Sequence, residues 1–337
     1  MNLDDLAHFR SIDQSDMLAH IDGLPDQIES TWVQAQTLTL PDLGNVTQVV
    51  VCAVGASATA SAMVAAMIAK ESRVSVTLIS TDSLPAWVAG IQTLVIGVSA
   101  SGKVAEVNAA FQQAVERKCQ VAAITGGGQL ADLCRAAGGT VWQFAHNGPP
   151  RVSIGKMFAL LLALFCRAGL VPDKSNDLVG ALSALREQQK AIYAVSPVMR
   201  NSAKRMAGQF MDRYVLVFGA GMLGAVAEHW AAQVAANAKA WAQAESLPAA
   251  AHTLATGLQY PEALITKYMF LTLECDSLSE IEKRSATETR TLFMTSGFNT
   301  DFVRGLGPSP LAQLLTCMHY GDYVSYYLAM AYEVDPM

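Results

Sequence analysis

Thr93-Leu94-Val95-Ile96-Gly97-Val98-Ser99-Ala100-Ser101-Gly102-Lys103 is the most informative run in the chain. Thr93 to Gly97 is a short, unbroken apolar segment rich in β-branched residues, which reads as a buried strand. Beyond Lys103, apolar Val104, Val107, Ala110, Phe111 and Val115 recur at helical spacing, with Glu106, Gln112, Gln113, Glu116 and Arg117 on the other faces. A strand that ends in hydroxyl residues and Gly and then starts a helix is the layout of an anion site. The first N–H groups of a helix have no internal partner and carry partial positive charge. Ser99 and Ser101 add hydroxyl donors, Gly102 lets the backbone approach a ligand, and Lys103 supplies a full charge. On local grounds alone the same residues also suit a simple cap at Ser101.

The flanking sequence repeats this pattern. Gln48 to Val54 reads as a buried strand, followed by the turn Gly55-Ala56-Ser57 and an Ala-rich helix to about Lys70. Val74 to Ile79, Leu94 to Val98, Val121 to Thr125 and Thr140 to Phe144 are the next four strands, with helices around 104–117 and 130–135. Strands alternating with helices of this length imply a parallel, doubly wound, flavodoxin-like sheet of five strands. A ligand then sits beyond the carboxyl ends of the strands, where Gly55, Ser57, Ser99 and Ser101 all fall. Arg151 follows Pro149 and Pro150 at the start of an apolar helix of about 153–168, after the last strand. An isolated Arg is ordinarily only a solvated charge; this one is held rigidly near the crevice.

The totals are consistent with this reading. The 337 residues are 52% hydrophobic and 15% charged, with a formal net charge of −6 and no run of Lys or Arg. That balance suits large buried sheets and gives no electrostatic footing for nucleic acid. Cys52, Cys119, Cys134, Cys166, Cys275 and Cys317 are scattered without C-x-x-C spacing, as expected of reduced core thiols. The first ten residues carry Asp4 and Asp5 and no apolar run, unlike a signal peptide. Met157 to Cys166 is too short to span a bilayer. A cytoplasmic protein that uses neither membrane nor metal is the expectation.

Four segments are expected: a helical lead-in over 1–44 that packs on the first domain, a first α/β subdomain over 45–172, connecting helices over 173–210, and a second α/β subdomain over 211–337. Tyr214 to Phe218 opens the last of these and leads to Gly219-Ala220-Gly221-Met222-Leu223-Gly224, a formal G-x-G-x-x-G. Dinucleotide binding requires a second strand ending in Asp or Glu about 20 residues on. Here a helix to about Trp241 and a Pro/Ala loop are expected instead, so these glycines read as close helix–strand packing. Further strands are expected at Lys267–Leu273 and Leu292–Ser296, a charged helix between them whose charges form a solvated face, and closing helices at Pro310–Leu315 and Tyr323–Ala331.

In order and spacing these stretches resemble the sugar isomerase (SIS) fold, and more closely the bifunctional phosphoglucose/phosphomannose isomerases. The shared features are Gly55-Ala56-Ser57, Ser99 to Gly102, Pro150-Arg151 with Gly155, Trp230-x-x-Gln233, Asn237-Ala238-Lys239, Pro248 with His252, Gly321-Asp322-Tyr323-Val324-Ser325-x-Tyr327-Leu328-Ala329, and Asp335-Pro336. The resemblance covers about residue 45 onward. It implies two SIS subdomains, each a parallel sheet flanked by helices, no cofactor, and interconversion of an aldose 6-phosphate (glucose 6-phosphate or mannose 6-phosphate) with fructose 6-phosphate through an enediolate. It implies that Gly55, Ser57, Ser99, Ser101, Gly102 and Lys103 hold the phosphate, that Arg151 stabilises the enediolate, and that His252 opens the sugar ring. It further implies a homodimer with His252 near the partner's site.

Three departures stand out. Ala236 occupies the position of the family's catalytic glutamate, Val104 that of a phosphate-loop threonine, and Ala249-Ala250-Ala251 have lost the acidic and amide neighbours of the histidine. Glu228, about 12 Å along the helix from Ala236, and Glu245 are the nearby carboxylates. Two functions are therefore open: an isomerase with an unorthodox base, or a non-catalytic sugar-phosphate-binding protein.

Overall fold

The computed structural model of the chain describes residues 2–337. It divides into two compact units, residues 25–175 and residues 1–24 with 176–337. The expected lead-in is therefore shared between the units. Its helices are α1 (Leu6–Ile12), α2 (Met17–Asp22) and α3 (Leu24–Ala35). In the first unit, Arg167 donates to the carbonyls of Ala35 and Leu38, and Trp142 Nε1 donates to Thr39 O at 2.7 Å. These bonds tie the chain after α3 onto that unit.

The first unit runs β1 (Gln48–Cys52), α4 (Ala56–Ile68), β2 (Ser75–Ile79), β3 (Thr93–Ser99), α5 (Ala105–Glu116), β4 (Gln120–Thr125), α6 (Gly128–Ala136), β5 (Thr140–Gln143), a 3-10 turn over Pro150–Ser153 and α7 (Ile154–Arg167). All strand pairs are parallel, in the order β2-β1-β3-β4-β5. Every residue of β3 is buried, as an apolar run in the middle of a covered parallel sheet should be. Val107, Phe111, Leu130 and Cys134 from α5 and α6 pack on Val50, Val95 and Val121 on one face. The right-handed crossover from β1 to β2 puts α4 on the other face, and α7 packs against α4.

The second unit continues with α8 (Ser175–Ile192), α9 (Ser202–Phe210), β6 (Tyr214–Ala220), α10 (Leu223–Ala238), β7 (Ala242–Leu247), α11 (Ala249–Leu254), a 3-10 turn over Glu262–Lys267, β8 (Tyr268–Glu274), α12 (Glu280–Thr295), β9 (Asn299–Arg304) and α13 (Pro310–Tyr332). Its four strands are parallel in the order β7-β6-β8-β9. The connecting helices α8 and α9 cluster with this unit.

Three local expectations are corrected. Leu292–Ser296 is not a strand: Leu292 to Thr295 complete α12, which starts with a full capping box between Ser279 and Glu282. Phe293 is drawn into the core by stacking on Phe270, with ring centroids 4.0 Å apart. The segment after α10 is strand β7 rather than a loop, because Ala242, Ala244 and Leu247 supply an edge strand that pairs with β6. The two closing helices are one, α13, since nothing between Leu315 and Tyr323 breaks it.

The motif residues of α10 and α13 hold those two helices to each other. Trp230 Nε1 donates to Cys317 O at 3.0 Å, Gln233 Nε2 to Asp322 Oδ1 at 2.7 Å, and Asn237 Nδ2 to Ser325 Oγ at 2.9 Å. His229 Nε2 lies 2.6 Å from the same Asp322 oxygen. Gly321 lets Trp230 lie against α13, since a Cβ there falls 2.5 Å from the indole. The spacing shared by these motifs is thus the spacing of a helix–helix contact.

Candidate active site

Strand order locates the crevice. The chain leaves β1 toward β2 and leaves β3 toward β4, so the neighbouring carboxyl ends of β1 and β3 form the topological switch point of the first unit. In open α/β sheets that is where ligands bind. The loops that leave these two strands carry Gly55-Ala56-Ser57 and Ser99 to Lys103. Gly55 caps α4 with a positive φ of 62°, and the unpaired first-turn N–H groups of α4 begin beside the end of β1.

The serines are placed differently. Ser99 is 1% exposed, and its Oγ accepts the Gly102 N–H at 3.1 Å; Ser101, half-buried, accepts the Lys103 N–H at 3.2 Å. Each of these hydroxyls therefore folds the loop with its oxygen and keeps its own hydrogen to donate. Ser57, 3% exposed, instead turns its hydroxyl toward Met157 Sδ at 3.1 Å. The helix after the loop is capped at Val104 and starts at Ala105, so Ser101 is not its N-cap. Lys103 is exposed.

Gly102 has a positive φ of 64°, and a Cβ there falls 1.7 Å from the Gly127 carbonyl oxygen. The space around it is filled by protein, so this glycine serves loop–loop contact rather than close approach of a ligand. Gly126 N donates to Ala100 O and Leu130 N to Gly102 O, both at 3.0 Å, and Asn108 Nδ2 also reaches Gly102 O at 3.4 Å. The β4–α6 loop thus clamps the β3–α5 loop, a role that the Gly126-Gly127-Gly128 run did not announce. Asn108 was equally silent in the sequence, where it sits among the polar positions of an amphipathic helix.

Arg151 lies half-buried in the 3-10 turn before α7, and that turn packs against α4. Beside it is a group that the sequence did not single out. His146, three residues past β5, places Nδ1 2.9 Å from the hydroxyl of Ser153, a residue of the same turn that is 2% exposed. The Cβ of His146 also lies against Gly126. Partial burial, with a smaller contribution from Lys156, holds this imidazole below its ordinary pKa and so favours the neutral ring. Position just past the carboxyl end of a strand was the available signal.

The remaining sequence candidates belong to the second unit. His252 is exposed on α11 and lines a groove of about 320 Å³ with Arg284, Ser285 and Glu288 of α12. Ala236 is half-buried on α10 and Glu228 is exposed. Glu245 lies within β7, where it accepts from Gln243 Nε2 at 2.5 Å. The charges of α12 are less uniformly solvated than expected: Lys283 pairs with Glu280 at 3.0 Å, whereas Arg290 reaches Glu274 at 2.5 Å. At the second sheet's own switch point, between β6 and β8, a Cβ at Gly221 falls 2.6 Å from the Glu282 carboxylate. That carboxylate already receives the Ser279 N–H. A negative side chain thus fills the position corresponding to the serine loop of the first unit.

Known proteins share this fold. Residues 199–337 match the bacterial phospho-glucose isomerase C-terminal SIS domain. The chain is 29% identical over 330 residues to a bifunctional phosphoglucose/phosphomannose isomerase of Caldicellulosiruptor bescii, covering 95% of each, and 26% identical to one of Aquifex aeolicus, covering 72% of each. Among solved structures, it resembles a glucose-6-phosphate isomerase like protein of Thermus thermophilus (TM-score 0.66, 17% identity, 100% and 97% of the two chains). It also resembles the tagatose-6-phosphate ketose/aldose isomerase of Escherichia coli (TM-score 0.64, 15% identity, 98% and 94%). At such identities the structural likeness speaks for the fold alone. Among the described residues no helix is long and apolar enough to cross a membrane.

Proposed function

We propose that this chain is a member of the SIS-fold bifunctional phosphoglucose/phosphomannose isomerase family, which its likeness to those enzymes supports, and that it interconverts an aldose 6-phosphate and fructose 6-phosphate through an enediolate. The observation that carries this reading is the pair of serine-bearing loops at the β1/β3 switch point, backed by helix N-termini. Ser99 and Ser101 donate to the phosphate, with the first-turn N–H groups of α4 and the charge of Lys103 behind them. Ser57 supports this end by fixing α4 on α7. Arg151, positioned by the turn before α7, faces the sugar and offsets the charge that develops on the enediolate oxygen. Transition-state charge met by a fixed cation in a partly dry site is among the larger contributions an enzyme makes.

His252 protonates the ring oxygen as the pyranose opens. Its exposed position on α11 supports delivery to the site of a second copy, in a cytoplasmic homodimer. The relatives' activities favour an isomerase over a purely binding protein.

The test is incubation of purified protein with fructose 6-phosphate, followed by separation of the hexose phosphates. Appearance of glucose 6-phosphate or mannose 6-phosphate is expected, and the Ser99→Ala/Ser101→Ala variant should raise KM at least tenfold. Thermal stabilisation by hexose phosphates with no interconversion would replace this reading by the binding-only one.

A further inference from the structure

Isomerisation needs a group that takes a proton from carbon, and Ala236 has none to offer. We infer that His146 is the proton-transferring base of this site, oriented by Ser153 and set beside the clamp that holds the phosphate loop. The inference rests on the isomerase reading above.

Three observations carry it. First, the dyad has the form that general bases take: one ring nitrogen is fixed by a buried hydroxyl, Ser153 Oγ at 2.9 Å from Nδ1. With the Nδ1 hydrogen given to that hydroxyl, Nε2 carries the free lone pair. Among the described residues Nε2 has no hydrogen-bond partner. Second, the dyad joins the two halves of the first unit's site. His146 packs on Gly126, whose N–H binds Ala100 in the serine loop, while Ser153 belongs to the same four-residue turn as Arg151. Third, the alternatives are committed or displaced. Glu245 is tied to Gln243 within an edge strand, and Glu228 is exposed on α10. The neutral ring favoured by partial burial is the form that accepts a proton.

The step balances within the substrate. Nε2 takes the C2 proton of the open aldose, the C2–H electron pair forms the C1=C2 bond, and the carbonyl pair moves to O1, facing Arg151. His146 then returns its proton to C1, while the O2 hydroxyl proton passes to O1 through solvent and C2=O forms. No oxidant or external reactant is consumed.

The experiment measures hexose 6-phosphate interconversion and C2 deuterium uptake for the full chain and for His146→Gln, His146→Ala, Glu228→Gln and Glu245→Gln, with thermal melts of each. General acid–base groups contribute about 10²–10⁴-fold, so His146→Gln is expected to lose at least about 100-fold in kcat with KM within threefold of the parent. Added imidazole should restore part of the activity of His146→Ala, which a merely structural histidine would not allow. A His146→Gln variant with parental kcat, a KM effect alone, failure of imidazole to rescue a folded His146→Ala, or loss of exchange in Glu228→Gln or Glu245→Gln instead, overturns the assignment while leaving the isomerase reading intact. Absence of exchange in the parent protein overturns that reading, and this inference with it.

Discussion

Replacing Gly102 by Ala isolates the contact on which the serine loop depends. At Gly138, where φ is +75° and no atom lies within 4 Å of the position a methyl would take, Gly→Ala imposes only the left-handed backbone penalty. That penalty is about 1–2 kcal/mol. At Gly102 the φ of +64° brings a similar penalty, but the new Cβ also falls 1.7 Å from Gly127 O, where contacts under 3.0 Å essentially never occur. The two loops must therefore part by more than an ångström. Parting them breaks the Gly126 N–Ala100 O and Leu130 N–Gly102 O bonds, both 3.0 Å long. Each such bond is worth about 0.5–1.5 kcal/mol net, which brings the expected cost at Gly102 to roughly 2–5 kcal/mol. With about 2–4 °C per kcal/mol for a domain of this size, Gly138→Ala should lower Tm by a few degrees and Gly102→Ala by two to three times as much. Melts with and without glucose 6-phosphate should show, in addition, that Gly102→Ala has lost the ligand-induced shift. Equal Tm changes for the two variants, or an unchanged ligand shift in Gly102→Ala, would refute the clamp.

Other consequences follow from buried groups. His319 is buried, donates from Nε2 to Ile21 O at 2.7 Å, and leaves Nδ1 without a partner, so burial holds its pKa below the usual histidine range. The unfolded chain then binds the proton more readily than the folded one. Stability should be full above about pH 6.5 and fall below it by up to about 1.4 kcal/mol per pH unit; urea melts at several pH values should show a shallower decline in His319→Gln. Gly321→Ala gains up to about 1 kcal/mol of helix propensity, yet places a methyl 2.5 Å from the Trp230 indole. Overpacking typically costs about 1–3 kcal/mol, so a net fall in Tm is expected, and an unchanged or higher Tm would deny the tight α10–α13 contact. Burial pushes the thiols of Cys52 and Cys134 up to about 12 and about 11 and raises Cys317 further. These three should resist iodoacetamide at pH 8 in the native protein and react in guanidinium, as read by mass spectrometry.

Much of the first unit was legible because its strands are continuous apolar runs separated by amphipathic helices, and helix and strand periods rarely disagree there. The order β2-β1-β3-β4-β5 follows the flavodoxin-like expectation. The second unit was harder. Leu292-Phe293-Met294-Thr295 has strand-like composition, and only the cap at Ser279, some thirteen residues earlier, says that it belongs to a helix. Strand β7 is partly exposed and contains Gln243, Glu245 and Ser246, so its apolar pattern is weak. Within the site, the serine loop and the position of Arg151 were readable as residue types at the ends of strands. The clamp by Gly126 to Gly128, the turn of Ser57 toward Met157, and the His146–Ser153 dyad were not. Each depends on contacts between segments that approach only in the folded sheet.

The most direct test of the isomerase assignment is proton NMR of glucose 6-phosphate, mannose 6-phosphate and fructose 6-phosphate incubated with the protein in D2O. Deuterium entering at C2 of the aldoses and C1 of the ketose, together with interconversion of the sugars, is the expected result. Unchanged C2 and C1 proton signals under conditions where hexose phosphates raise the Tm would contradict it.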